Sequence, residues 1–98
     1  MGIIKKINLN SIEDSLEEIN GLTFQTKFLQ EQHKVVMEQM KLNKTSFSSG
    51  NISKYVYNKN KIILDGERKK LTKKINEAVE KVQKVNDTMQ KIMKEYRI

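Results

Sequence analysis

His33 is the only imidazole in this chain, and there is no cysteine. The nitrogen and sulfur ligand sets of transition-metal sites therefore cannot be assembled, and carboxylates alone would have to hold a metal. Glu31 stands two residues from His33, on a different helical face, so the two cannot share an ion. His33 lies on the same side as Leu29 and Val36 and is expected to pack or cap, with a pH-sensitive contact as the alternative. The acids Glu13, Asp14, Glu17 and Glu18 are the one cluster that could be imagined doing paired acid–base work. Such work needs a pocket and positioned partners, which two helices do not enclose. Solvated charges at a helix start are the expected role. G-x-S-x-G, P-loop and H-E-x-x-H patterns are all absent. The expectation is a protein that is not an enzyme, with no catalytic, cofactor or metal residues.

The lysines are the other chemically suggestive group. The net charge is +7, and residues 50–98 carry all of it, with thirteen Lys or Arg against six acids. Lys69, Lys70, Lys73, Lys74, Lys81, Lys84, Lys91 and Lys94 invite a nucleic-acid reading. Glu77, Glu80 and Asp87 interleave with them. The pairs Glu77–Lys81, Glu80–Lys84 and Asp87–Lys91 have the spacing of helical ion pairs. Arginine, which dominates base readout, occurs only at positions 68 and 97. Nucleic acid is thus the less favoured reading, and a solvated face, or a docking face for an acidic partner, the better one.

The elements that position these groups are helices. Proline is absent, which removes the strongest helix breaker. Residues 1–9 read as an extended arm. Ser11-Ile12-Glu13-Asp14 reads as a helix start, with a cap and acids at the positive end. A first helix is expected over about 11–44 and a turn over about 45–52, where Ser, Thr, Asn and Gly concentrate. A second helix follows over about 53–95, with Ser53 as its cap. Leu64, Leu71, Ile75, Ala78, Val82, Val85, Met89, Ile92 and Tyr96 form its heptad seam, with Gly66 and Arg68 as the soft spot. The fold class is all-α: one domain over 1–98, an antiparallel two-helix hairpin completed by packing on a partner.

The first helix carries two apolar sides. Leu22, Leu29, Val36 and Met40 share one face; Phe24, Phe28, Val35 and Leu42 fall nearly opposite. A helix with two apolar faces needs two neighbours, and this chain supplies one. The Phe24/Phe28/Val35/Leu42 stripe, extended by Tyr55 and Ile62, is the candidate partner-binding surface. Leu22/Leu29/Val36/Met40 is the candidate hairpin packing. Periodicity leaves open which face is which, and a homodimer or larger self-assembled coiled coil stays possible.

The longest apolar runs are three residues, at 35–37 and 62–64, so no membrane span is expected. The start, Met1-Gly2-Ile3-Ile4-Lys5-Lys6, is too short in apolar residues for a signal peptide and has Lys6 where a myristoylation signal wants Ser or Thr. The expected location is the cytoplasm, with Sec-independent export alongside a partner as an addition.

In length, helix–turn–helix layout and the turn sequence Phe47-Ser48-Ser49-Gly50, the chain resembles the small W-x-G hairpin proteins of type VII secretion. It is closer still to the helical proteins encoded beside LXG toxins. The resemblance covers nearly the whole chain as architecture. Phe47 stands for the tryptophan, and the spacing to Gly50 is one residue longer. The Tyr-x-x-x-Asp/Glu export tag is absent, since Tyr55 and Tyr57 have Lys59 and Lys61 four residues on and only Arg97 and Ile98 follow Tyr96. The resemblance implies an accessory protein that binds the helical N-terminal region of an LXG-type effector, with a second small helical protein as an optional further partner, and promotes its export. The runner-up is a small basic coiled coil of phage or plasmid origin that binds nucleic acid or itself.

Overall fold

A computed structural model describes the backbone of residues 2–95 and the side chains of residues 11–95. The protein is an all-α hairpin: α1 (Gly2–Ser48) and α2 (Lys54–Glu95) pack against each other, with no strand among the described residues.

The first helix starts nine residues earlier than Ser11, so the expected arm at 1–9 is helical from Gly2 on. Ser11 is interior to α1 and not its cap. A serine caps only where the preceding backbone leaves helical angles. With no breaker upstream, extending an existing helix adds a hydrogen bond per residue, whereas a fresh start pays for a nucleus. α1 also runs past Lys44 to Ser48. Thr45 is accommodated because its hydroxyl donates to the Lys41 carbonyl at 2.9 Å.

What ends α1 is Gly50. The Asn51 amide donates to the Ser46 carbonyl at 2.8 Å and the Gly50 amide to the Phe47 carbonyl at 3.1 Å. This pairing is a Schellman motif, which places Gly50 at the left-handed position, and its φ is +79°. Nothing lies within 4 Å of where a Cβ at Gly50 would sit, so substitution there meets backbone strain and no clash. Gly50→Ala is expected to cost about 1 kcal/mol, and Gly50→Asn less, read as a shift in the urea midpoint. Ser53 then caps α2 as its position suggests. The Val56 amide donates to Ser53 Oγ at 3.2 Å and the Tyr57 amide to the Ser53 carbonyl at 2.9 Å. Phe47 and Tyr57 close the turn by stacking, with ring centroids 4.5 Å apart and planes 16° from parallel.

The chain divides into two compact units. One comprises Lys27–Ile75, which includes the turn; the other comprises residues up to Thr26 with those from Asn76 on. In the turn unit, Leu29 and Asn43 are buried and His33, Val36 and Met40 half-buried on α1. Their steps of four, three, four and three are a heptad seam. On α2 the same unit sets buried Leu71 with half-buried Tyr57, Asn60, Leu64, Arg68 and Ile75. In the terminal unit, buried Ser15 and half-buried Ile12, Ile19, Leu22 and Thr26 form the α1 seam. Buried Ala78 with half-buried Val82, Val85, Met89 and Ile92 forms that of α2. Tyr96 lies outside the described residues. Leu29, Leu71 and Ala78 are the buried apolar side chains, and none among the described residues is fully enclosed.

α2 continues unbroken through Gly66. Asp65 Oδ1 accepts from Arg68 Nε at 3.2 Å and from Nη2 at 2.8 Å, and Asp65 Oδ2 lies 3.3 Å from Lys69 Nζ. The Arg68 guanidinium foremost, then Lys69, holds the Asp65 carboxyl below its ordinary range. The expected soft spot is thus bridged by a charge cluster spanning the glycine.

Candidate partner-binding face

The two apolar sides of α1 have different fates. In the turn unit, Leu29, Val36 and Met40 take the seam, while Phe28, Val35 and Leu42 stay exposed at 60, 49 and 65%. Phe24, in the terminal unit, is 77% exposed. Each of Phe28, Val35 and Leu42 stands one residue before a seam position (Leu29, Val36, Asn43). At about 100° per residue this sets the stripe roughly 125° from the seam's centre, not nearly opposite it. The difference matters, because a flanking stripe can be shared with the second helix.

Leu42 does share it. Together with Ile52, Ile63 and Leu64 it lines an open groove of about 320 Å³, whose polar rim is Gln39, Asn43, Ser46 and Asn60. Ile63, 56% exposed, stands one residue before the seam position Leu64, the same offset as Leu42 before Asn43. In an antiparallel pair, residues one before the seam fall on the same flank of both helices. Ile63 and Ile52 are the site residues that sequence reasoning missed, and this offset is the signal that could have found Ile63. Tyr55 and Ile62, expected to extend the patch, stand two residues before the seam positions Tyr57 and Leu64 and point elsewhere. Ile62 lines a different groove with Met40, Asn58, Lys61 and Asp65, and Tyr55 is 74% exposed.

Of the turn residues Phe47, Ser48, Ser49 and Gly50, only Ser49 and Gly50 leave the helix. Phe47 is committed to its stack on Tyr57.

Comparison with protein-family models, with curated proteins and with solved structures finds no match.

Charge is distributed by unit more sharply than by half. The turn unit holds twelve Lys and Arg against the four acids Glu31, Glu38, Asp65 and Glu67, a net of +8; the remainder of the chain nets −1. Lys81, Lys84, Lys91 and Lys94 on α2 are exposed, as are Lys69, Lys70, Lys73 and Lys74. The expected pairs Glu77–Lys81, Glu80–Lys84 and Asp87–Lys91 do not form. Among the described residues the ion pairs are Asp65–Arg68, Asp65–Lys69 and Glu67–Lys70. Long exposed side chains lose rotamer freedom on pairing, which offsets most of the Coulomb gain in water. No cluster of three metal-ligating side chains occurs among the described residues, and no helix described is long and apolar enough to cross a membrane.

Proposed function

We propose that this protein is a non-enzymatic docking module whose α1 is shared between α2 and a helix of another protein. The carrying observation is that Phe28, Val35 and Leu42 stay exposed beside a seam already occupied by Leu29, Val36 and Met40. Covering three such side chains contributes several kcal/mol at about 25 cal/mol per Å². Left bare, they are a solubility liability of the kind that marks interaction surfaces. The resemblance to LXG-associated proteins supplies the partner's class: the helical N-terminal region of a type VII-secreted effector, with this protein as its targeting factor.

Co-expression with such an effector, followed by affinity capture and light scattering, tests the reading. We expect a stoichiometric complex that Phe28→Asp or Phe24→Asp abolishes while each variant keeps its helical circular dichroism. A complex untouched by both substitutions, or loss of helicity in either variant, overturns it.

A second reading rests on the exposed lysines of α2: binding of nucleic acid through phosphates. Its signature is affinity for random duplex DNA that falls steeply with salt. No binding at low salt removes it.

A further inference from the structure

The flank of the turn unit away from the Leu42 groove carries a second surface of different chemistry. There Met37, Met40 and Tyr57 form the floor of a groove of about 270 Å³, edged by Lys41, Lys44 and Lys61. The placement follows from the same offset rule with its sign reversed. Met37, Lys41, Lys44 and Lys61 each stand one residue after a seam position (Val36, Met40, Asn43 and Asn60) and so share one flank of the antiparallel pair. The floor is apolar, with Met37 39% exposed. The three lysines are exposed and make no ion pair among the described residues.

We propose that this groove is a docking site for an acidic amphipathic helix of a partner protein, its apolar side on Met37, Met40 and Tyr57 and its carboxylates on Lys41, Lys44 and Lys61. Three considerations select that occupant. An inter-helix groove with thioether side chains receives the apolar stripe of a helix and adapts to its side-chain shapes. Lysines edging an apolar floor complement a helix whose stripe is bordered by Asp and Glu. A second copy docking through its own turn unit is disfavoured because that unit is also +8, and like fields repel. Nucleic acid would use the lysines but leave the methionine floor bare, since phosphate contacts need no apolar surface.

This site is separate from the Phe28/Leu42 face and does not depend on it. The test uses the full chain and a fluorescent synthetic helix with a leucine stripe bordered by glutamates. A lysine-bordered counterpart, random duplex DNA and anionic lipid vesicles serve as rival probes. The expected result is saturable binding of the glutamate helix, weakened by salt, and no binding of the lysine helix. Lys41→Glu/Lys44→Glu/Lys61→Glu should reduce affinity by about tenfold or more, and Met37→Asp should reduce it as well. Val79→Asp, at an exposed position of the terminal unit, should leave it unchanged. All these positions are half-buried or more open, so circular dichroism should be unaltered in every variant. No binding of the glutamate helix at low salt overturns the proposal. So does binding that ignores the lysine reversals, or tighter binding of DNA or vesicles with the same dependence on Lys41, Lys44 and Lys61.

Discussion

Leu29→Asp is expected to unfold the hairpin, and Phe28→Asp, one residue earlier in the same helix, is expected to leave it folded. Leu29 is 7% exposed and faces the α2 seam, whereas Phe28 is 60% exposed. Truncating a buried leucine to alanine alone costs about 2–5 kcal/mol. An aspartate at the same place adds the desolvation of a charge. Small domains have only about 5–15 kcal/mol in hand, and one whose buried apolar side chains among the described residues are Leu29, Leu71 and Ala78 belongs at the low end. Leu71→Asp should behave as Leu29→Asp does. Far-UV circular dichroism and urea titration of the isolated protein read the outcome. The reverse pattern, with Phe28→Asp melting the helices and Leu29→Asp tolerated, would exchange the two faces of α1 and remove the basis of the docking reading.

That contrast also marks how far the sequence could be read. Two long helices, one turn and Ser53 as a cap followed from the absence of proline, the heptad of α2 and one concentration of turn residues. The division of labour between the faces of α1 did not follow, because both are apolar at helical spacing and periodicity alone cannot rank them. The α1 seam is also half polar. Ser15, Thr26, His33 and Asn43 occupy it beside Leu22, Leu29, Val36 and Met40, and a search for apolar residues passes over them. Ser11 misled because a capping signal is local while helix propagation is not. The two grooves were invisible for a different reason. They are set by residues immediately before and after the seam on both helices, and only the antiparallel pairing brings Leu42 beside Ile63 or Lys44 beside Lys61.

Asn43 carries the other large expectation. It is 8% exposed; its Nδ2 donates to the Tyr57 carbonyl and its Oδ1 accepts from Asn60 Nδ2, both at 3.1 Å. These two bonds cross from α1 to α2 beside the turn's aromatic stack, one of them ending on Tyr57 itself. A buried asparagine at a seam position costs stability relative to leucine but penalises every other register, since a slipped partner leaves its amide unsatisfied. Asn43→Leu leaves the half-buried Asn60 amide without its acceptor. We expect it to lower stability by about 1–3 kcal/mol. Asn43→Leu/Asn60→Leu should recover that loss or exceed the parent, because both polar groups are replaced together by apolar ones. The double variant should pay in uniqueness: slower-moving alternative pairings of the two helices would appear as extra amide resonances for Phe47 through Tyr57. Equilibrium urea unfolding reads the first effect and heteronuclear NMR the second. A single set of sharp resonances in the double variant would mean that the Gly50 turn and the Phe47–Tyr57 stack fix the register without Asn43. In that case the amide network would be a consequence of the register and not its cause.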